Sequence, residues 1–443
     1  MQSPKSPTIP SLETSMSTAL AKRKKNQTIR SLTTFPPGSA DFSSNDFLSL
    51  STSPALRDLY FQELNNHDPS PSPTSLSSKL GSGGSRLLDG NSTYAEALED
   101  TISSFHSPSS PSYGLLCNSG YDANTALFSC LPQSGDYIVY DEYIHASVHD
   151  GMRLSRAKET RFFAHNDVRA LRAVLEQIIE EDVRVKEGRA NVFIAVEAVY
   201  SMDGDVGDLA GIVKVKNELF FGEGRGGNAY LIVDEAHSNG WVGPKGRGLV
   251  SDLRLEGECL VRLHTFGKAL ACNGAILLCA TSVLREYLIN YARPLIYTTF
   301  VSYPNLAAIK ASYEFLIAGK GEPLARNLRF LIRTLYERLW EMEAELRLPI
   351  ELAHLLRCPK ELPETPIFAV LSSEPKVLAA YCQKNGFVVR GIVPPTVPLG
   401  TERIRVCLHA GNTVEQIDGL VSCIRNWTVE RARETGKAGR TRL

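Results

Sequence analysis

An aspartate and a lysine in the middle of the chain together have the chemistry to work on an aldehyde cofactor. Asp234 follows directly after the apolar run 231–233, so a buried strand is expected to end in a carboxylate, and Lys268 stands between a glycine and an alanine. A lysine amine forms a Schiff base with an aldehyde. A carboxylate beside a pyridine nitrogen keeps that nitrogen protonated, which makes the ring an electron sink. Alone, such an aspartate is typical of a helix cap and such a lysine of a surface residue, but the pair favours this chemistry.

Pyridoxal phosphate needs these two groups and also donors for its phosphate. Gly120, within NSGYDAN, is a candidate source of backbone N–H groups, and Thr265 is a candidate source of a hydroxyl. The four residues therefore predict a pyridoxal-phosphate site.

The elements that must position these residues are short buried strands that alternate with helices. The runs 137–140, 192–196 and 230–233 are apolar and bounded by polar residues, which is typical of fully buried strands. Between the first two, residues 168–180 place leucine, valine and isoleucine on one helical face, with Asp167 as the expected N-cap. This alternation predicts an α/β fold with a mostly parallel sheet, whose ligands gather at the carboxyl ends of the strands.

The chain is expected to divide into five parts. Residues 1–15 are predicted to be disordered, and 16–80 to form an N-terminal helical arm with a helix over 16–32, followed by a linker rich in Pro, Ser and Asn. Residues 81–310 form the large cofactor-binding domain, 311–430 a smaller α+β domain, and 431–443 a basic tail. The smaller domain is predicted to hold a long helix over 328–342, strands at 367–371 and 387–389, and a closing helix over 414–427.

Composition excludes several classes of partner. The 443 residues carry 48 basic and 49 acidic side chains, a balance that argues against a nucleic acid or an anionic membrane as partner. The sequence contains no apolar run of about 18 residues, so no membrane span is predicted. The nine cysteines contain no CxxC pair, so no metal site is expected and the thiols are predicted to be reduced and buried.

The location is expected to be cytoplasmic or peroxisomal. The last three residues, Thr441-Arg442-Leu443, resemble the peroxisomal address SKL in having a basic residue before a terminal leucine. A solvated basic tail is the alternative.

Ten stretches in the right order resemble the α-oxoamine synthase family of fold-type-I pyridoxal-phosphate enzymes, and the resemblance runs from about residue 20 to 425. The stretches are FSSNDFLSLS (42–51), GSGGSRLLDGNSTYAEALED (81–100), NSGYDANTAL (118–127), YIHASVHDG (143–151), RFFAHNDV (161–168), EAVYSMDGDVGDLA (197–210), DEAHSNGWVG (234–243), TFGKALACNGA (265–275), RPLIYTTF (293–300) and PPTVPLGTERIR (394–405).

The resemblance implies a large domain with a mostly parallel seven-stranded sheet flanked by helices, plus the smaller domain. It implies that Lys268 holds pyridoxal 5′-phosphate covalently and removes the α-proton of an amino acid, and that Asp234 binds the ring nitrogen. His145 would stack on the ring. His237 and Ser201 would hydrogen-bond its phenolic oxygen.

The remaining roles are implied in the same way. Glu197 would lie nearby at a strand end, and Gly120, Tyr121 and Thr265 would hold the phosphate. Thr298 and Thr299 match a segment that reaches the phosphate of a neighbouring subunit, which implies a homodimer with shared active sites. Thr396 and Arg405 match a motif that contacts substrate carboxylates, and Arg30 matches an arginine that meets the acyl substrate.

Within the family, PPTVPLGTERIR most resembles members that condense L-alanine with a pimeloyl thioester of coenzyme A or a carrier protein, with loss of CO₂. Bacterial members of that kind have an arginine where this chain has Val393, and Arg390 lies three residues upstream. A related synthase that joins alanine, glycine or serine to a different acyl thioester is therefore the alternative. An inactive scaffold protein is a third hypothesis, but its expected mark, loss of the cofactor lysine, is absent.

Overall fold

The computed structural model describes residues 11–26, 28–65, 80–222 and 226–440, with side chains described as far as residue 435. The disorder predicted for residues 1–10, most of the linker and the terminal Thr441-Arg442-Leu443 signal lie outside the described residues. Within the described ranges, no helix combines the length and apolar character needed to cross a bilayer.

Helices and strands alternate along most of the described chain. In chain order they are α1 (Leu12–Lys25), β1 (Ala40–Asp41), α2 (Pro54–Asn65), α3 (Thr93–His106), β2 (Tyr113–Cys117), α4 (Gly120–Cys130), β3 (Tyr137–Asp141), α5 (Ala146–Arg153), β4 (Glu159–Phe163), α6 (Val168–Glu181), α7 (Val183–Lys186), β5 (Val192–Glu197), α8 (Leu209–Phe220), β6 (Ala229–Asp234), α9 (Leu249–Asp252), β7 (Cys259–Thr265), β8 (Ala275–Cys279), α10 (Ser282–Tyr291), α11 (Arg293–Tyr297), α12 (Tyr303–Ile317), α13 (Gly321–Leu346), β9 (Ile367–Leu371), α14 (Pro375–Lys384), β10 (Phe387–Val388), β11 (Arg390–Ile392), β12 (Arg403–Cys407) and α15 (Val414–Arg440).

The main sheet has seven strands in the order β2-β8-β7-β6-β5-β3-β4. Its pairs are parallel except those of β8, which runs antiparallel to both neighbours. Since β8 separates β2 from β7, β2 runs in the same direction as the other five strands. The predicted mostly parallel seven-stranded sheet is thus confirmed, and six strands end at one edge.

Burial explains why the central strands were readable from sequence. Every residue of β5 is buried, and because helices cover both faces, residues 192–196 form an apolar run that ends only at Glu197. On one face, Leu171, Leu175 and Ile178 of α6 pack into a core with β3, β5 and β6. The Asp167 side chain accepts hydrogen bonds from the amides of Arg169 and Ala170, as expected for the cap of α6.

The C-terminal part contains a three-stranded antiparallel sheet in the order β11-β12-β9. It shares one continuous core with α12, α13 and α15 and with the segment around Phe42 and Phe47. The N-terminal β1 pairs in parallel with β10, so that Ala40 lies opposite Phe387. The N-terminal segment is therefore built into the C-terminal part.

Two predicted terminal segments differ from the structure. The first helix begins at Leu12, capped by the Ser11 hydroxyl, and ends at Lys25, so the predictions of disorder up to residue 15 and of a helix over 16–32 are corrected. Helix α15 continues to Arg440, so residues 431–440 extend a helix instead of forming a separate tail. The boundary predicted at 310 falls inside α12, and the division into domains stays a prediction.

Candidate active site

Two carboxylates lie side by side where the central strands end. Glu197 is the last residue of β5 and Asp234 the last of β6, and they are register partners across the parallel pair. Both are buried. The neighbouring strand β7 ends at Thr265 and leads within three residues to Lys268. Adjacent strands therefore bring the predicted aspartate and lysine to one edge, as expected for a parallel sheet.

Two hydrogen bonds fix the orientation of the Asp234 carboxylate. Asn124 of α4 donates to Asp234 Oδ2 at 2.8 Å, and the Ala236 amide donates to Oδ1 at 2.9 Å. The same Asn124 amide group lies 3.0 Å from Ser147 Oγ, which in turn lies 2.7 Å from His145 Nδ1. Asp234 and His145 are thus joined through one continuous network.

Lys268 lies within the electrostatic influence of both carboxylates. Burial lowers the pKa of its amine to about 8, against the opposing effect of the charges at Asp234 and Glu197. The positive charge of Arg405 contributes to this lowered value. A substantial fraction of the amine is therefore neutral near physiological pH, as a nucleophile or proton acceptor requires.

Glu197 has the opposite tendency. Burial raises the pKa of its carboxyl well above the ordinary value, and the neighbouring Asp234 charge raises it further. Two like charges at adjacent strand ends disfavour each other, so the pair favours one proton on Glu197.

His237 is buried three residues beyond the end of β6. Burial lowers the pKa of its imidazole well below the ordinary value, and the nearby charges of Lys268 and Arg405 add to this effect. Its Nδ1 has no hydrogen-bond partner within the described part of the chain. A buried imidazole nitrogen without a partner is unusual, and it suits a role toward a bound group.

Arg405 connects the C-terminal sheet with the cluster. It is a buried residue of β12 whose Nε donates to the Ser201 carbonyl at 2.6 Å and whose Nη2 donates to Asn45 Oδ1 at 2.9 Å. Two positions earlier, the buried Arg403 forms an ion pair with the half-buried Asp203. The Ser201 backbone is therefore held by the predicted substrate-binding arginine, and the role predicted for the Ser201 side chain stays a prediction.

The start of α4 offers hydrogen-bond donors to a phosphate. Its first residue, Gly120, lies against Thr265. A Cβ built on this glycine would be 3.5 Å from the threonine Cβ. Helix N-termini present free N–H groups to anions. Tyr121 follows, and its hydroxyl donates to Asp150. Its ring centroid lies 6.4 Å from that of His145, which is exposed at the N-cap of α5.

The residues present fit pyridoxal phosphate. A partly neutral amine, an oriented carboxylate, an unpaired buried imidazole nitrogen and a helix N-terminus converge at one edge of the sheet. These are the groups that an aldehyde, a pyridine nitrogen, a phenolic oxygen and a phosphate require.

Four predicted site residues lie outside this cluster. Thr299 contacts the phosphate segment only through its carbonyl, which accepts from Asn118 Nδ2 at 2.6 Å, and Thr298 is exposed beside it. Arg30 and Thr396 are exposed, and among the described residues no hydrogen bond joins either side chain to the cluster. Their predicted roles stay predictions.

Sequence reasoning missed three residues that the structure places in the network: Asn124, Ser147 and Asn45. Asn124 lies four positions after Gly120 on α4, so the two share a helix face. That spacing inside NSGYDAN was a usable signal. For Asn45, which meets Arg405 from 360 positions away, the pattern of residues offers no comparable signal.

A separate cavity of about 730 Å³ lies between the N-terminal segment and the C-terminal part. Thr28 lines it from one side, and Val393, Pro394, Leu399 and Arg431 line it from the other. The cavity thus adjoins two segments that sequence analysis assigned to the substrates.

The family model for aminotransferase class I and II matches residues 41–424. The chain is 51% identical over 416 residues to the 8-amino-7-oxononanoate synthase of Emericella nidulans, covering 94% of this chain and 96% of that protein. It is 35% identical to the aminoacyl transferase sphA of Aspergillus fumigatus, covering 97% and 91%.

Two solved structures show the same fold. A serine palmitoyltransferase with its PLP internal aldimine superposes with a TM-score of 0.78 at 22% identity, covering 96% of this chain and 99% of that one. The 8-amino-7-oxononanoate synthase of Francisella tularensis superposes with a TM-score of 0.65 at 25% identity, covering 89% and 99%.

Proposed function

Since the chain belongs to the aminotransferase class I and II family, whose members are fold-type-I pyridoxal-phosphate enzymes, we propose that it condenses L-alanine with a pimeloyl thioester. The products are 8-amino-7-oxononanoate, CO₂ and the free thiol of coenzyme A or a carrier protein, in the first step of biotin ring assembly. The observation that carries this proposal is the 51% identity to the Emericella nidulans synthase over nearly the whole chain.

The cofactor, when bound, supplies an electron sink for the electron pair left at the amino acid α-carbon. Asp234 keeps a negative charge against the ring nitrogen, and Asn124 and the Ala236 amide hold that carboxylate in place. The neutral Lys268 Nζ accepts the α-proton. A positioned base of this kind contributes roughly 10²–10⁴-fold.

Arg405 orients the amino acid through its carboxylate. Its guanidinium has five N–H donors in a fixed plane, and the hydrogen bonds to Ser201 and Asn45 use two of them. The remaining donors suit a bidentate pair with a carboxylate. Fixing the carboxylate sets which bond of the α-carbon is aligned for reaction.

The acyl thioester is expected to reach the site past the N-terminal segment. Arg390 on β11 packs over the Phe35 ring at 4.9 Å and donates to Thr33 Oγ1 at 3.1 Å, so this exposed cation lies against the arm that carries Arg30. We propose that these two arginines, in place of an arginine at position 393, are the candidates for the distal carboxylate of a pimeloyl chain.

A homodimer with shared active sites is part of the proposal. The segment expected to reach a neighbouring subunit carries an exposed aromatic ring, Tyr297, which is 71% exposed, and the exposed Thr298 and Thr299. Leu88, in the motif that begins at Gly81, is 77% exposed. The Phe300 amide donates to the Gly84 carbonyl at 2.9 Å, so the two segments are adjacent, and exposed apolar side chains that lie together are typical of surfaces that a second subunit covers.

A second candidate is a related synthase for a different acyl chain. The sphA relatives cover as much of the chain as the synthase does, and Val393 removes the charge that bacterial pimeloyl enzymes have at this position. An acyl chain without a distal carboxylate would need no arginine there.

A substrate panel tests the proposal. Purified protein with pyridoxal phosphate is given L-alanine, glycine or L-serine, each with pimeloyl-, heptanoyl- or palmitoyl-CoA, and free thiol and CO₂ are measured. We expect L-alanine with pimeloyl-CoA to give the highest kcat/KM, and Lys268→Ala to give none. Faster turnover of palmitoyl-CoA, or of glycine or serine, would establish the second candidate instead.

Heptanoyl-CoA has the same chain length as pimeloyl-CoA and lacks its distal carboxylate, so their ratio measures carboxylate recognition alone. We expect Arg390→Ala or Arg30→Ala to reduce that ratio and to leave the rate with heptanoyl-CoA nearly unchanged.

A further inference from the structure

We propose that His165 is a positioning residue that holds two loops of the cofactor site in register, the loop ending in His145 and the loop containing Ser201. The inference rests on the proposed family function, because it uses the cofactor contacts predicted for those two residues. His165 itself lies beyond β4, outside the cluster around Lys268.

His165 forms ion pairs from both ring nitrogens. Its Nδ1 lies 2.8 Å from Asp141 Oδ1, and its Nε2 lies 2.8 Å from Asp205 Oδ2. A histidine that faces two carboxylates is a double donor and carries a positive charge. The imidazolium therefore links the end of β3 with the segment that follows β5.

Asp141 transmits this link to His145. It is the last residue of β3 and is completely buried, and its carboxylate also accepts the amides of Tyr143 and Asn166, each at 2.8 Å. The Tyr143 ring stacks on the His165 ring with centroids 4.3 Å apart. His145 follows two residues after this stack, so the start of α5 is set by groups that His165 holds.

Asp205 and Tyr200 extend the link from His165 to Ser201. The Tyr200 amide donates to the Asp205 carbonyl at 3.0 Å, which closes a tight turn around Ser201. The Tyr200 ring meets the His165 ring edge-on with centroids 4.5 Å apart. Asn166 adds a further tie, since its Nδ2 donates to the Val206 carbonyl at 2.7 Å.

Loss of the imidazolium would leave the buried Asp141 carboxylate without its cation. A buried charge without its partner is costly, so the carboxylate and the loops around it would rearrange. Small displacements of groups around a reacting centre have large effects, on the order of 10²-fold for about 1 Å. The effect is expected at His145 and Ser201 together, because one residue serves both loops.

The test compares His165→Phe with His149→Phe. The first variant keeps a ring to stack on Tyr143 and removes both donors. The second changes a half-buried histidine on the adjacent α5 whose ring contacts Tyr140 at 5.3 Å. Folding is checked by circular dichroism, and the dissociation constant of pyridoxal phosphate and the absorption band of the bound cofactor are measured without any substrate.

We expect His165→Phe to weaken cofactor binding by about tenfold or more, as loss of an outer-shell partner of a bound group does, and to move the absorption band. His149→Phe should change neither. A folded His165→Phe protein with the wild-type dissociation constant and band would overturn the proposal. Because no amino acid or acyl thioester is used, a wrong substrate assignment leaves these readouts unaffected.

If His165→Phe does not fold, Asp205→Asn is measured instead, since it keeps His165 and Asp141 and weakens the ion pair of His165 Nε2 together with the hydrogen bond that Asp205 Oδ2 accepts from Asn166. We expect Asp205→Asn to weaken cofactor binding and to move the absorption band in the same direction as His165→Phe, but by less. A wild-type dissociation constant and absorption band in this variant would overturn the proposal as well.

Discussion

Glu197 and Asp234 are direct neighbours across β5 and β6, yet the environments of their side chains differ. Asp234 accepts hydrogen bonds from Asn124 and the Ala236 amide, whereas burial and the Asp234 charge raise the Glu197 pKa. Two acids at one strand level thus have separate roles, one as a fixed anion and one as a neutral neighbour. The strands place the two residues at the same level, so the difference lies in the surroundings of each side chain.

Amide substitutions of the two acids should therefore have unequal effects. Asp234→Asn removes the charge that the ring nitrogen needs, so we expect kcat to fall by about 10²–10⁴-fold. Glu197→Gln imitates the protonated acid, and we expect a change of less than about tenfold on the same scale. Initial rates with saturating cofactor measure both. Equal losses would show that Glu197 acts as an anion.

Asn124→Ala should reduce both stability and rate. The change removes a buried donor to Asp234 and Ser147, and an unsatisfied buried group costs about 1–3 kcal/mol in free energy of unfolding. The exposed Asn290 on α10 provides a matched control, for which Asn290→Ala should change stability by less than about 0.5 kcal/mol. Urea denaturation and initial rates measure the two effects. Wild-type kcat in Asn124→Ala would contradict the positioning of Asp234 by this amide.

The amine of Lys268 should titrate near pH 8 in the cofactor-free protein. Burial lowers its pKa from 10.5 to about 8, so the reactive neutral form appears as the pH rises through that value. An amine-selective acylating reagent, with mass spectrometry of the Lys268 peptide, gives the rate of modification against pH. The exposed Lys214 peptide serves as the internal comparison. A midpoint for Lys268 above pH 10 would contradict the electrostatic description of the site.

His165 should stabilise the fold in a pH-dependent way. Burial alone would lower its pKa, but hydrogen bonds and charges from Asp141 and Asp205 outweigh burial and raise the pKa from 6.5 to about 10. The stabilisation is therefore complete below about pH 6.5, declines as the pH rises and is absent above about pH 10. The difference in unfolding free energy between wild type and His165→Gln should shrink over this range. A constant difference would contradict the prediction.

Arg405→Lys should impair amino-acid binding although it keeps the charge. A lysine cannot reach Ser201, Asn45 and a substrate carboxylate at once, because it lacks the planar fork of donors. Hydrogen bonds to charged groups contribute about 1.5–3 kcal/mol each, so we expect KM for the amino acid to rise roughly tenfold to a hundredfold. Arg425→Lys, at an exposed position of α15, is the control. An unchanged KM would exclude Arg405 from carboxylate binding.

The sequence predicted the central strands and α6 well because burial on both faces and a 3.6-residue period leave direct traces. Strand β9 was placed at its observed bounds, 367–371, for the same reason. The two-residue β1 escaped prediction because its partner, β10, lies far away in the chain and so short a strand has no period. The extension of α15 beyond residue 427 was not predicted, because an exposed helix has no apolar stripe.

For the site, the cofactor pair could be predicted because each residue ends or follows a readable strand. The resemblance supplied most of the other roles. The network that orients the pair could not be predicted, since Asn124, Ser147 and Asn45 are polar residues whose contacts depend on tertiary packing. His165 lies in one of the matching motifs, but its two carboxylate partners come from the end of β3 and from the segment after β5.

The pairing of β1 with β10 and the contact of Asn45 with Arg405 bear on how the enzyme is made. Asn45 leaves the ribosome 360 residues before Arg405, so the contact between them cannot form on a nascent chain until β12 has been synthesised. Premature termination after Lys268 and before β12 therefore yields a product that has the proposed cofactor lysine and lacks the arginine proposed to orient the substrate.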